Sequence, residues 1–358
     1  MTNDTAVAPI PAPQRRLMSG ALMVLVLAVA GLFYVKWAPY YAKSFVAAAH
    51  HTIGASIVSG KAAEPPAAGW SAALTYARSY YLAIWQALVL GLLLGATIQV
   101  FFPRQWMLRW LGGVGLRSTV VAGTISLAGM MCTCCAAPVV IGLRKQNASL
   151  GAAMAFFVAN PVMNPATLIF IGFVLGWQFT ALRVVVGIMI ILVIAWYANT
   201  YAKEDMPKLK PEPSPIEKRT SIRELGMDWL RALWWEIYTI IPGYIVIVLL
   251  LGAARAWLFT PTVTLANGGF LALIVLAIAA TLFVIPTAGE VPIIQTLMGL
   301  GMGIAPALVL LVALPAISLP SVYIVRAVFP KQVLAASLGI VAVAGLLTGI
   351  VGKFFIAS

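Results

Sequence analysis

The feature that most constrains the fold is a series of apolar runs, each about as long as a membrane span. A helix that crosses a bilayer needs about 20 apolar residues. Such runs lie near 17–38, 79–102, 118–143, 149–176, 181–201, 229–254, 266–285, 304–325 and 333–352. The strict alternation of a membrane β-barrel is absent, and helices satisfy their own backbone groups in lipid. The sequence predicts an all-α, polytopic membrane protein.

The composition agrees with a membrane-embedded chain. Hydrophobic residues make up 62% of the sequence and charged residues 9%, whereas soluble domains carry about 25% charged residues. The first run follows Arg15 and Arg16 without a clear cleavage site, which predicts an uncleaved first span.

The formal charge of +13 is explained by basic residues in short loops between hydrophobic segments. Such residues act as orientation signals, and they do not indicate a nucleic-acid partner. We therefore expect a bacterial-type inner membrane, with the N-terminus and the loop of Arg104, Arg109 and Arg117 in the cytoplasm. The C-terminus is then expected outside.

A charged, proline-rich segment divides the apolar region. Residues 202–224 hold six Lys or Arg, five acids and four prolines, a composition typical of a solvated linker. We expect this linker to be cytoplasmic. The predicted organisation is an N-terminal tail, extra span and loop at 1–60, a first membrane repeat at 70–201, and a second at 225–358.

The two repeats are indicated by residues that recur 154 positions apart, with seven identities in 29 positions. Repeats with an odd number of spans are inverted in the membrane, and such transporters bind substrate where broken helices meet near the midplane. Proline and glycine interrupt both 118–143 with 149–176 and 266–300 with 304–328. One member of each pair is predicted to be broken or re-entrant, and the sequence leaves open which.

All three cysteines lie in MCTCCAAPVV, residues 131–140. In a continuous helix, Cys132 and Cys135 share a face, whereas Cys134 lies about 200° around from Cys132. Pro138 lacks an N–H group and disfavours the helical conformation of the residue before it. The sequence predicts a helix that breaks around 131–137 and restarts at Pro138. The cysteines would lie at a helix N-terminus, where the dipole favours thiolates.

Thiolates bind soft species such as Cu(I), Zn²⁺ or trivalent arsenic. A single cysteine would more simply be a small residue for helix packing. Three within four residues, beside a helix break, indicate instead a site for a thiophilic substrate at Cys132, Cys134 and Cys135. No resident cofactor is expected.

Other candidate residues lie at the remaining breaks. Glu290 is an acid within an apolar region, which indicates proton coupling, although it would equally suit a helix cap. Asn160 and Asn164 each precede a proline in ANPVMNPAT. They would line the substrate path, with Pro138 and Pro161, or would only satisfy freed backbone groups.

The stretch CTCCAAPVVIGLRKQNASLGAAMAFFVANPVMNP resembles the signature of the ArsP/YraQ-like permeases, as does AGEVPIIQTLMGLGMG in the second half. Some members of that family export trivalent organoarsenicals, which implies metalloid binding by Cys132 and Cys134. This chain departs from the pattern at Thr133, Cys135 and Asn160. A third thiol suits inorganic arsenite or a three-coordinate soft metal. The residues that match the signature are Cys132, Cys134, Pro138, Gly142, Leu143, Pro161, Asn164 and Pro165.

The function expected from these features is a secondary permease that exports a thiophilic substrate, above all a trivalent arsenical, with protons as the candidate coupling ion. No phosphate-binding loop is present, so ATP-driven transport by this chain is not expected. Two alternatives stay open: a membrane thiol–disulfide carrier, and a permease for another organic or sulfur-containing solute with structural cysteines. The oligomeric state is left open.

Overall fold

A computed structural model of the protein describes residues 12–58, 69–205, 216, 221–265 and 269–356. Across these ranges the chain is helical and forms no β-strand, which confirms the all-α prediction. A π-helical turn, Phe33–Trp37, joins the first two helices. The predicted linker at 202–224 lies mostly outside the described residues. The helices are α1 (Ala12–Leu32), α2 (Ala38–His50), α3 (Trp70–Phe101), α4 (Arg104–Leu111), α5 (Leu116–Leu127), α6 (Thr133–Lys145), α7 (Leu150–Val162), α8 (Pro165–Val174), α9 (Trp177–Asp205), α10 (Ile222–Leu265), α11 (Gly269–Leu282), α12 (Glu290–Gly299), α13 (Ile304–Ala316), α14 (Leu319–Val325) and α15 (Lys331–Ile356).

Seven segments of the described chain are helical, long enough and apolar enough to cross a membrane, which confirms a polytopic protein. They are Met18–His50, Trp70–Phe101, Leu150–Val174, Trp177–Tyr201, Ile222–Ala254, Ile304–Val325 and Lys331–Gly352. Neither of the apolar runs at 118–143 and 266–285 forms one of these seven spans. They belong instead to the short helices α5, α6 and α11.

Helices α5 and α6 form a re-entrant hairpin. Each has 12 or 13 residues, so each is only about 20 Å long at about 1.5 Å per residue, against a bilayer core of about 30 Å. The backbone N–H of Ser149, after α6, donates to the carbonyl of Leu111, before α5, at 2.8 Å. The hairpin therefore enters and leaves on one side. Its tip lies deeper, where the N–H of Met131 donates to Asn160 near the end of α7 at 2.8 Å.

The hairpin answers the question that the sequence left open. The first member of the pair 118–143 and 149–176 is re-entrant, and the second is a span broken between α7 and α8. Arg144 and Lys145, at the end of α6, consequently lie on the same side as the basic loop 104–117. A full crossing from 118 would have placed these two basic residues on the opposite side from the basic loop. The hairpin keeps all of these basic residues on one side, as expected of orientation signals.

The second half repeats the first with the same spacing. Adding 154 to the bounds of α7 gives the bounds of α13, and the starts of α8 and α9 likewise give those of α14 and α15. Helices α11 and α12 correspond to α5 and α6. The side chain of Gln295 on α12 donates to the carbonyl of His51 at 2.8 Å, beyond the end of α2. That end is opposite the one where Gly20 approaches the last carbonyl of α3, so the two hairpins open to opposite sides.

Glycines let the first hairpin pack closely on α3. A Cβ atom at Gly91 would collide with the carbonyl oxygen of Cys135, and one at Gly95 with that of Pro138. Small residues permit this close backbone approach in membranes, where van der Waals packing holds helices together. Helix α3 therefore supports the segment that carries the cysteines.

We expect Gly91→Ala and Gly95→Ala each to lower the stability of the detergent-purified protein by about 1–3 kcal/mol, because overpacking forces α6 away from α3. Gly339→Ala on α15 is the matched control, since a Cβ atom there meets nothing within 4 Å. Thermal unfolding checks this. Equal melting temperatures for all three variants would contradict the close packing.

Candidate functional site

The two hairpin tips meet the two broken spans around a small buried cavity. Its volume is about 10 Å³, room for about one water molecule. Both halves of the chain contribute to its wall, as expected of inverted-repeat transporters. The lining residues are Cys132, Thr133, Pro161, Thr167, Ile285, Pro286, Thr287, Ala288, Glu290, Leu314, Pro315 and Ser318.

The cysteines lie at a helix N-terminus, but the helix does not restart at Pro138 as the sequence predicted. Cys132 is the N-cap residue of α6, and Pro138 lies inside the helix. The chain turns upstream, at Met130, whose φ of 47° is left-handed. Within α6, proline removes only the hydrogen bond to the carbonyl four residues earlier, so a single proline does not end the helix here.

The three sulfur atoms do not converge. The Sγ atoms of Cys132 and Cys135 are 3.2 Å apart, as expected for residues on one helix face. The Sγ atom of Cys134 lies 3.6 Å from the hydroxyl of Ser318 on the other side. All three thiols are free and buried. In the described part of the chain, no three His, Cys, Asp or Glu side chains converge as a metal-binding group.

Glu290 is the first residue of α12. Its Oε1 atom forms an ion pair with Arg183 on α9 at 2.9 Å, and both side chains are almost fully buried. Ala288, two residues before it, has a left-handed φ of 63°. The second tip thus turns through a strained residue as the first does at Met130.

The Arg183 guanidinium also fills hydrogen bonds that prolines leave open. It donates to the carbonyls of Pro161, Val162 and Leu311 at 2.9–3.0 Å. In a regular helix, Pro161 and Leu311 would accept from the residues four positions later, which are Pro165 and Pro315 and have no N–H. Arg183 replaces both missing donors and joins the two broken spans to Glu290.

The two asparagines have backbone partners. Asn160 Oδ1 accepts from Met131 at the hairpin tip, and Asn164 Oδ1 caps α8 by accepting from Ala166 and Thr167. Neither side chain lines the cavity, whereas Pro161 does. Their position fits the backbone-satisfying alternative, and a role in the substrate path stays a prediction.

Sequence reasoning missed Lys36 and Arg183. The ammonium group of Lys36 donates to Thr287 Oγ1 at 3.1 Å, and its side chain is buried. Each residue is a basic group in an apolar run, 17–38 or 181–201, and charged groups inside spans are functional candidates. The sequence therefore contained a signal for both residues, a basic side chain inside an apolar run.

Comparison with known proteins identifies the family. The family model ArsP_1, described as "Predicted permease", matches residues 69–354. The chain belongs to this permease family. UPF0718 protein YraQ of Escherichia coli (strain K12) is 49% identical over 331 residues, covering 92% of this chain and 93% of that protein. UPF0718 protein MJ0584 of Methanocaldococcus jannaschii is 23% identical over 328 residues, covering 74% and 90%. No solved structure matches the chain.

The matched region of this ArsP_1 permease contains both hairpins and both broken spans. It begins at residue 69, so the first span and its Lys36 lie outside the region that the family model matches. Membership establishes a membrane permease and leaves the substrate to be argued from the site.

We expect Arg183→Leu to destabilise the permease by about 3–5 kcal/mol, because it leaves a buried carboxylate without its partner. The double variant Arg183→Leu, Glu290→Leu should recover only part of this loss, since three backbone carbonyls still lack a donor. Unfolding in detergent with a double-mutant cycle measures both. Full recovery in the double variant would contradict the role of Arg183 as a partner of those carbonyls.

Proposed function

We propose that this permease exports a trivalent arsenical or a related thiophilic species, bound by the thiols of Cys132 and Cys135. The observation that carries the proposal is the pair of sulfur atoms 3.2 Å apart at the junction of the two halves. Two sulfurs bonded to one soft atom at about 2.3 Å each lie at most about 4.6 Å apart. The pair therefore suits a single soft atom without movement of the backbone.

The proposed capture step needs no oxidant or reductant. Two thiols react with a dihydroxy trivalent arsenical, so that two As–S bonds form and two As–O bonds break. Each thiol proton leaves with a hydroxyl group as water. Release is the reverse: two waters enter, and each sulfur recovers a proton. Arsenic stays trivalent throughout.

Transport requires the cavity to open, since a volume of about 10 Å³ holds no arsenical. The two hairpins open to opposite sides and their tips meet at the cavity. Movement of one half against the other would expose the thiols first to one side and then to the other, as in other inverted-repeat carriers. The export direction rests on the family resemblance.

We propose Glu290 as the proton-coupling group. Its Oε1 atom pairs with Arg183, while its buried Oε2 atom has no hydrogen-bond partner among the described residues. A proton on Glu290 would neutralise the carboxylate and weaken the ion pair that joins the second tip to both broken spans. Proton binding would thereby favour movement of the tip.

Glu290→Gln tests this coupling. We expect the variant to bind phenylarsine oxide as the wild type does but to lose the dependence of transport on a pH gradient, because glutamine binds no proton. Transport into inside-out vesicles, with and without an imposed gradient, measures it. Coupling equal to that of the wild type would reject the role of Glu290.

The cysteines give the sharpest test of the binding site. Cys132→Ser and Cys135→Ser should each weaken binding of phenylarsine oxide by at least about tenfold, because one As–S bond is lost. Cys134→Ser is the matched control and should bind within about twofold of the wild type, since its sulfur faces Ser318. Quenching of the 11 tryptophans gives the signal. Equal losses in all three variants would contradict the two-sulfur site.

One observation favours a second function, a membrane thiol–disulfide carrier. Cys132 and Cys135 have the C-x-x-C spacing at a helix N-terminus, an arrangement found in redox proteins. A carrier of this type would cycle between dithiol and disulfide with a defined potential. Transport of arsenicals by protein whose cysteines stay reduced supports the permease. A disulfide that titrates with a defined potential, in protein that binds no arsenical, supports the carrier. If the protein neither binds arsenicals nor forms such a disulfide, the remaining alternative is a permease for another organic or sulfur-containing solute.

A further inference from the structure

The first span brings a buried cation to the substrate site. Its π-helical turn, Phe33–Trp37, contains Lys36, whose side chain is only 5% exposed. A π-helical turn holds an additional residue in the helix and is frequent at functional sites. Many neighbouring side chains of this span, such as Phe33 and Tyr34, are exposed. Lys36 therefore points inward from a helix that otherwise largely faces outward.

The Lys36 ammonium contacts a residue that lines the same cavity as Cys132. It donates to Thr287 Oγ1 at 3.1 Å, and Thr287 lines the cavity in the second hairpin tip. Cys132 lines the same cavity. Lys36 also donates to the hydroxyl of Tyr40, at 3.4 Å, and lies over that residue's ring.

No carboxylate compensates this cation within the described residues. The acid at the cavity, Glu290, is already paired with Arg183, and no described Asp or Glu lies within 4 Å of Lys36. Lys36, Arg183 and Glu290 together place two cationic side chains and one anionic side chain here. An uncompensated charge inside a membrane protein is costly, so an anion bound in the cavity would be stabilised.

We infer that Lys36 is a substrate-binding residue that selects thiophilic substrates with an anionic substituent. Cys132 and Cys135 bond the soft atom, and the Lys36 ammonium pairs with a carboxylate or a similar anionic group on the same molecule. The inference rests on the proposed thiol site and adds the charge of the substrate to it. It also gives the first span a role in transport.

The test compares two trivalent arsenicals that differ in charge: neutral phenylarsine oxide and 4-carboxyphenylarsine oxide. Full-length wild-type protein should bind the carboxylated compound at least about tenfold more tightly. Lys36→Gln should remove this preference while leaving the affinity for the neutral compound within about twofold. Lys36→Arg, which keeps the charge, should retain most of the preference.

The outcomes separate this inference from the proposed function. Cysteine-dependent binding of both compounds with equal affinity in the wild type would overturn the role of Lys36 and leave the thiol site intact. Failure of both compounds to bind would overturn the thiol site itself, and the inference with it. The wild-type preference decides the question even where a Lys36 variant does not fold. A preference that persists in Lys36→Gln would assign it to another residue and overturn the inference.

Discussion

The hydrogen bonds and ion pair of Arg183 hold the centre of the molecule together. Prolines break the spans that cross the centre, and each break leaves a carbonyl group without a donor. In lipid such a group costs several kcal/mol because no water replaces the lost partner. Arg183 donates to the carbonyls of Pro161, Val162 and Leu311, which belong to both halves. Its ion pair with Glu290 fixes the second hairpin tip to the same point.

Arg183 thus makes two kinds of interaction: hydrogen bonds that stabilise the helix breaks and an ion pair with Glu290. Arg183 donates to carbonyl groups at two helix breaks, and in the proposed coupling a weaker ion pair with Glu290 would release the tip without removing these donors. A permease needs such an element, because its broken spans must persist while its halves move. The glycine contacts of α3 with α6 pack the first hairpin closely against α3. The two tips thus differ: the first carries the sulfur atoms and the second carries the carboxylate of Glu290.

The membrane class and the repeat were readable from the sequence because apolar length and proline spacing determine them locally. The 154-residue spacing places α7 and α13 at equivalent positions. Local sequence signals did not predict where the chain turns at the helix breaks. Proline marked the region but not the residue that turns, since Met130 and Ala288 adopt left-handed conformations that their side chains do not favour. The re-entrant hairpin was equally hidden, because 26 apolar residues suit a span as well as two half-helices.

The candidate site was predictable only where local sequence determines it. The proximity of Cys132 and Cys135 follows from helix geometry, and their spacing of 3.2 Å agrees with it. The partners of each group depend on contacts between distant segments, as in the approach of Ser318 to Cys134 and of Lys36 to Thr287. No local pattern records such contacts. A basic residue inside an apolar run was the available signal, and it applied to Lys36 and Arg183 alike.

In the proposed site two sulfur atoms, not three, bind the substrate. X-ray absorption at the arsenic edge of purified protein loaded with inorganic arsenite tests it most directly, since arsenite accepts up to three thiolates. We expect two sulfur neighbours and one oxygen around arsenic, with an unchanged spectrum in Cys134→Ser. Three sulfur neighbours, falling to two in that variant, would contradict the two-sulfur site, and a shell of oxygen alone would contradict thiol binding.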